Sequence, residues 1–297
     1  MSDHQHNSAQ SSQGIGWAFA LNVGFTIIEF VGGLLTNSTA IMADAIHDLG
    51  DSLSIGTAWL LSRLSKIGAD NSFTYGYKRL SLLGALINGI VLIAGSIWVL
   101  VQAVPRLFDP VKPVAEGMFG LAILGVIVNG FAAYKLSAGE TLNEKVLNWH
   151  LLEDVFGWVA VLIVSIVLMF AEAAILDALL AIGFTLFVLF NVIRNTKQAL
   201  KLFLQAVPSQ GLIEKVREEL LTLETVSSIH HAHAWSLDGR STVYTAHLVI
   251  DSPLEWAEQV EVKNQIARIL EKYRFSHTTI ELELPEEYCR DINSENS

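Results

Sequence analysis

"ADAIHDLGDS" occupies residues 43–52, between two apolar runs, "WAFALNVGFTIIEFVGGLLTNSTAIM" (17–42) and "LSIGTAWLLSRL" (53–64). The ten residues hold three aspartates and a histidine. An acidic group at the centre of a bilayer costs about 2.5–3.5 kcal/mol on insertion scales. A chain that places several there needs a ligand to offset them. His47 and Asp51 are four apart, so a helix sets them about 40° apart on one face, one turn along. Asp48 points about 100° away from His47.

The same spacing recurs in "NWHLLEDVFGW" (148–158), where His150 precedes Asp154 by four. If two such helices face each other, they supply two nitrogen and two oxygen donors. That set suits tetrahedral Zn²⁺; Mg²⁺ and Ca²⁺ sites use oxygen almost exclusively. A site that must hold either a metal ion or protons is built for transport. The competing reading is plain inter-helix hydrogen bonding or a proton relay without metal, and the second copy of the pattern weighs against it.

The remainder of the chain fits this picture. Of 297 residues 52% are hydrophobic and 16% charged, against about a quarter charged in ordinary soluble proteins. The net charge of −11 is uneven: residues 1–207 carry 11 basic and 14 acidic groups, and 208–297 carry 8 and 16. An apolar half joined to an acidic half predicts a membrane domain followed by a soluble one. No basic footprint for nucleic acid exists. The single cysteine, Cys289, permits no intrachain disulfide and no CxxC clip. "MSDHQHNSAQSSQG" reads as a polar tail, not a signal peptide.

Six stretches are long enough to span a bilayer: 14–36, 39–63, 80–103, 116–136, 148–171 and 174–194. They make a transmembrane domain at 14–194, preceded by a disordered cytoplasmic tail at 1–13. Arg63, Lys66, Lys78, Arg79, Lys135, Lys145, Arg194, Lys197 and Lys201 fall on one side, and only Arg106 and Lys112 on the other. The positive-inside rule then predicts both termini in the cytoplasm. A linker at 195–207 leads to a soluble domain at 208–297. There "LIEKVREELLTL" and "EWAEQVEVKNQIARILEKY" read as amphipathic helices, and "SSIHHAHAWSL", "STVYTAHLVID" and "HTTIELEL" as strands. The order αββαβ predicts an α+β ferredoxin-like domain.

Strand alternation places Ile229, His231, His233, Trp235 and Leu237 on one face of the first strand. His230, Ala232 and Ala234 fall on the other. Tyr244, Ala246, Leu248 and Ile250 read as core-facing in the second strand, and Ile280, Leu282 and Leu284 in the third. The non-core face then collects His230, His247, Glu281 and Glu283, a candidate second metal site. Ordinary solvated polarity is the alternative. His233 reads as packed beside Trp235, His231 carries no assigned role, and Cys289 reads as structural or incidental. Glu29 and Asn22 share a face of the first span; Asn88 and Asn129 read as inter-helix hydrogen-bonding groups; Asp177 reads as a helix-end group.

"LTNSTAIMADAIHDLGDSLS", "FTYGYKRLSLLGALING", "HLLEDVFGW" and "HAHAWSLDG…AHLVI…SHTTIELE" together resemble the cation diffusion facilitator family of zinc transporters, along nearly the whole chain. The resemblance implies a six-span homodimer of the cytoplasmic (inner) membrane that exports divalent metal in exchange for protons. It puts the intramembrane metal site on His47, Asp51, His150 and Asp154. It also points to the cytoplasmic strand positions, with His277 as a further candidate ligand. No prosthetic group is implied; Zn²⁺ enters as substrate and as a candidate regulatory ligand. Two departures stand out. The loop "GADNSFTYGYKRL" has Asp70 but no histidine for the additional loop site of some bacterial members. Leu80-Ser81 follows "GYKR" where many relatives have Ala-Glu. Other divalent metals (Cd²⁺, Co²⁺, Fe²⁺) are the nearest alternative cargo. A passive cation channel and a membrane metallo-enzyme are alternatives of another class, and the enzyme reading lacks both HExxH and an open metal position.

Overall fold

The computed structural model describes residues 20, 22–64, 68–136, 142–287 and 289; the side chains of residues 58, 59, 61–63, 135, 136 and 142–150 are outside the description. The expected N-terminal tail and the first residues of the first span lie outside the described residues. Residues up to Arg63 and Gly84–Thr196 form one compact unit, and Leu64–Leu83 with Lys197 onward a second.

The first unit is helical. Its elements are α1 (Asn22–Thr36), α2 (Thr39–Leu64), α3 (Leu80–Ala103), α4 (Ala115–Leu136), α5 (Leu142–Phe170) and α6 (Ile175–Phe203), with a 3₁₀ turn at Pro105–Leu107. Among the described residues four helical segments, Leu80–Leu107, Ala115–Tyr134, Leu151–Phe170 and Ile175–Phe203, are long and apolar enough to cross a membrane. The described part of α1 is shorter, and α2 carries Asp44, Asp48 and Asp51 in its N-terminal half. Large apolar side chains such as Ile90, Ile127, Phe170 and Phe190 are exposed. A protein surrounded by water would bury them; hydrocarbon is their matching solvent.

The interior of this unit is closely packed around Ile41, Met118, Trp158 and Leu168. Small residues bring the helices together. A Cβ on Gly125 of α4 would stand 2.2 Å from the ring of Trp158 on α5, so this close approach needs glycine.

The turn between α1 and α2 is two residues long. Asn37 takes a left-handed conformation, φ 53°, and its backbone and side-chain oxygens accept from Arg106 at 2.6 and 2.7 Å. Ser38 caps α2 through its Oγ, which accepts from Ile41 N at 3.2 Å. The stronger cap comes from another helix. Asp177, on the first turn of α6 and 1% exposed, accepts from Ser38 Oγ at 2.6 Å, Thr39 N and Thr39 Oγ1 at 2.7 Å each, and Ala40 N at 3.3 Å. A buried carboxylate thus finds four donors and the positive end of the α2 dipole. The helix-end reading of Asp177 holds, but the end it serves is that of α2 rather than its own. Asn88 bonds Ser54 Oγ across α3 and α2 at 2.7 Å. Asn129 instead turns back onto Gly125 O of its own helix at 3.2 Å.

In the second unit, α7 (Leu212–Leu220), β1 (Val226–Ser236), β2 (Thr242–Ile250), α8 (Trp256–Glu271) and β3 (His277–Glu283) follow in that order. The sheet is mixed, β1 antiparallel to β2 and β2 parallel to β3. The parallel pair needs a crossover, which α8 supplies. A capping box of Glu255 and Glu258 starts α8, and its Val262, Ile266 and Leu270 stripe is buried. With Val216 and Leu220 of α7 these residues cover the sheet face bearing Ile229, Ala234, Tyr244, Ala246 and Leu248.

The alternation expected for β1 fails part-way. The register slips between His230 and His233, and His231 has φ 46°. A β-bulge of this kind inserts an extra residue and switches the face of everything after it. Ile229 and Ala234 are therefore both buried in the same core, although five apart. His233 is exposed rather than packed. Leu284, read as core-facing, is 38% exposed beyond the end of β3.

Candidate metal sites

The membrane-side constellation forms on α2, with α5 opposite. His47 Nε2 lies 3.7 Å from Asp51 Oδ2, one turn along its own helix, and 3.9 Å from Asp154 Oδ1 on α5. The ring of His47 meets Phe184 of α6 edge-on at 5.6 Å between centroids. The side chains of His47, Asp51 and Asp154 are 18, 28 and 10% exposed, so they are secluded but reachable. The ligand–ligand edge of a tetrahedron with bonds of about 2.1 Å is about 3.4 Å. His47 Nε2 stands within about 0.5 Å of that spacing from each of the two carboxylates. His150 lies on α5 four residues before Asp154, in the correct helical register, but its side chain lies outside the described residues.

Beside this face, Glu29, Asp44 and Asp48 are buried, at 1, 5 and 6% exposure. Glu153 is exposed. Asp70, the one potential ligand in the α2–α3 loop, is committed to a turn. It accepts from Ser72 N, Phe73 N and Tyr77 Oη at 2.7–2.8 Å. The Tyr77 hydroxyl first, and the two backbone N–H groups after it, hold its carboxyl below the usual range.

The cytoplasmic sheet carries the second constellation. His247 of β2 is paired in register with Glu281 of β3 and His230 of β1. His247 Nδ1 lies 2.7 Å from Glu283 Oε1, and His247 Nε2 3.6 Å from Glu281 Oε2. The other oxygen of Glu283 stands 3.0 Å from His230 Nε2. The non-core grouping expected from alternation is thus assembled in space. Two further side chains join it. The bulge turns His231 toward the cluster, its ring 5.3 Å from those of both His230 and His247. Cys289 Sγ lies 3.6 Å from His247 Nδ1. One ligand atom each from His230, His247, Glu283 and Cys289 lies within 4.8 Å of all the others. Two imidazoles, a carboxylate and a thiol are a closed four-ligand zinc set.

Sequence reasoning missed Cys289, yet a signal was there. Pro285 occupies the second position of the turn Leu284–Glu287, closed by Glu287 N to Leu284 O at 3.0 Å, the place where proline presets a β-turn. That reversal carries the chain back over the sheet. His277 is placed elsewhere: it pairs with Val243, four residues along β3 from Glu281, about 13 Å at strand rise, and its ring meets Tyr75 at 5.0 Å.

Comparison with known proteins settles the class. Residues 17–204 match the cation efflux transmembrane domain, and residues 208–285 the cytoplasmic domain of cation efflux proteins. The chain belongs to the cation diffusion facilitator family. Three relatives show how much of the length is shared. A cadmium, cobalt and zinc/H⁺–K⁺ antiporter of Bacillus subtilis is 30% identical, covering 94% of this chain and 91% of its own. The metal cation efflux system protein CzcD of Cupriavidus metallidurans is 32% identical over 90% and 85%. The zinc transporter ZitB of Yersinia pseudotuberculosis is 31% identical over 90% and 86%. This cation efflux protein is therefore a membrane protein of a transporter family, with an apolar helical domain and a cytoplasmic domain built on a small mixed sheet.

Proposed function

We propose that this protein exports Zn²⁺ from the cytoplasm in exchange for protons, through a site formed by His47, Asp51, His150 and Asp154. The observation that carries the reading is His47 Nε2 facing Asp51 on its own helix and Asp154 on α5. The repeat of the i, i+4 His–Asp pair on α5 supports it. Metal efflux comes with the family. The ZitB and B. subtilis relatives, named for zinc and for proton exchange, support the finer reading.

Six spans, both termini in the cytoplasm, and the inner membrane follow from the apolar stretches and from the one-sided distribution of Lys and Arg. The domain limits at 14–194 and 208–297 follow the change in composition. The helix order and single covered sheet face fit a ferredoxin-like domain, and the match to the family's cytoplasmic domain supports a homodimer. In the cytoplasm-facing state, neutral imidazoles and ionised carboxylates accept the ion from the cytoplasm. In the outward state, protons compete for the same atoms, and histidine suits this because its ordinary pKa of about 6.5 lies near working pH. His230, His247, Glu283 and Cys289, with Glu281 at the edge, hold a regulatory Zn²⁺ in the soluble domain.

The test is metal-resolved uptake into proteoliposomes under an imposed pH gradient. Zinc uptake driven by that gradient, and abolished in Asp154→Ala, is expected. Flux indifferent to the gradient would point to a channel, and preference for another cation would overturn the zinc reading.

A further inference from the structure

The quartet does not account for a deeply buried acid on α1. Glu29 on α1 is 1% exposed, and among the described residues neither of its carboxylate oxygens has a hydrogen-bond partner. The charged groups facing it are Asp48 and Asp44 of α2 and Asp154 of α5, all acidic. An ionised carboxylate in that position would be desolvated with neither donor nor counter-charge among the described residues. A neutral carboxylic acid avoids that penalty.

Glu29 also shares a helix face with a run of polar side chains. Asn22, Thr26 and Glu29 fall at i, i+4 and i+7 on one face of α1. Asp44, Asp48 and Ser52 fall at i, i+4 and i+8 on the facing side of α2. Asn22 Nδ2 donates to Ser52 Oγ at 3.0 Å and lies 3.4 Å from the backbone oxygen of Asp48. The hydroxyls of Thr26 and Ser52 are 3.4 Å apart. Thr26 and Ser52 are buried, at 7 and 3% exposure. This polar seam runs from Glu29 toward the start of α1 and is rotated about 80° around α2 from the face of His47 and Asp51.

We propose that Glu29 is a proton-carrying site separate from the metal ligands, and that the Asn22–Thr26–Ser52 seam is its route to the cytoplasm. This deepens the proton exchange proposed above and rests on it. A divalent ion arriving on the neighbouring face of α2 supplies the positive charge that Glu29 lacks. The Glu29 O–H bond then breaks, the proton leaves through the seam, and a carboxylate remains. When the ion departs on the far side, the carboxylate recovers a proton from there. Charge compensation across one helix couples the two fluxes without Glu29 touching the ion.

The test reads both fluxes in proteoliposomes of the full-length protein, with zinc uptake and an internal pH dye followed together. Glu29→Gln mimics the neutral acid and cannot release its proton. Expected is zinc binding within twofold of wild type, downhill zinc flux retained, and stimulation by the pH gradient lost, with fewer protons moved per zinc. A wild-type proton-to-zinc ratio in Glu29→Gln overturns the proposal. So does movement of K⁺ in place of H⁺ by the wild type. A wild type indifferent to the gradient instead removes the exchange reading itself, before the variant is considered. If Glu29→Gln fails to reach the membrane, infrared difference spectra of the wild type decide. Zinc addition should erase a protonated-carboxyl stretch that shifts in Glu29→Asp, and absence of such a band overturns the assignment.

Discussion

Glu283 Oε1 stands 2.7 Å from His247 Nδ1, and its other oxygen 3.0 Å from His230 Nε2, so a single buried carboxylate spans two imidazoles on neighbouring strands. Cys289 Sγ closes the fourth side. A thiolate ligand gives cobalt an intense sulfur-to-metal absorption that nitrogen and oxygen ligands do not. Co²⁺ added to the full-length protein should show this band, and Cys289→Ser should lose it while keeping d–d absorption. The same band in Cys289→Ser would remove the thiol from the site.

The two histidines should matter more than the cysteine. His230→Ala combined with His247→Ala removes both nitrogen donors and should abolish zinc binding by the cytoplasmic cluster. Transport should fall only in part, because the proposed translocation ligands lie on α2 and α5. Calorimetry on full-length protein carrying Asp51→Ala isolates this site; undiminished binding in the triple variant would mean a merely solvated sheet face.

Within the membrane unit, Asp51→Ala or Asp154→Ala removes one of the four proposed ligands in a medium that penalises uncompensated charge. Zinc flux should drop to background while insertion and dimerisation persist. His47→Asp exchanges a nitrogen donor for oxygen and should broaden selection toward Cd²⁺ or Mn²⁺. Competition assays in which His47→Asp keeps the full wild-type zinc preference would free the imidazole from any part in selectivity.

The β1–β2 turn gives a prediction about pH. Burial alone would push Asp238 up, but the N–H groups of Ser241 and Arg240, then the Ser241 hydroxyl and Lys78, outweigh it and hold the carboxyl below its ordinary value. A depressed folded-state value means stabilisation present above the unfolded carboxylate range, near 3.9, and lost as pH falls through the folded one. Asp238→Asn should therefore cost about 0.5–1 kcal/mol at pH 7. The gap should close in acid. Denaturation of the detergent-purified protein at both pH values reads it, and a pH-independent difference would assign the effect to shape alone.

Much of this molecule could be read from residue spacing. The i, i+4 pairs need only helical geometry, so His47 and Asp51 were legible at once. The grouping of His230, His247, Glu281 and Glu283 needed only strand alternation over short distances. Alternation failed at His231, because nothing in "HHAH" marks where an extra residue enters the ladder. The bulge is fixed by pairing with β2, and only after it does the burial of Ala234 make sense. Cys289 is a failure of a different kind: its position depends on a reversal beyond the last strand. Asp177 was legible as a helix-end group, but its partner lies 138 residues away in sequence, and no local pattern reports that.

The four hydrogen bonds that Asp177 takes from Ser38, Thr39 and Ala40 join the start of α6 to the start of α2. Two helices tied at one end behave as a pair of tongs with a fixed pivot. Whatever swings during the cycle, Ala40 and Ala178 should keep their separation in every state. Past Asp51, α2 is held by single side-chain bonds, Ser52 to Asn22 and Ser54 to Asn88, rather than by four on one carboxylate. Spin labels at these two alanines should give one narrow distance distribution with and without zinc, and Asp177→Ala should broaden it. The pivot lies about two helical turns along α2 from His47, the first of the proposed metal ligands.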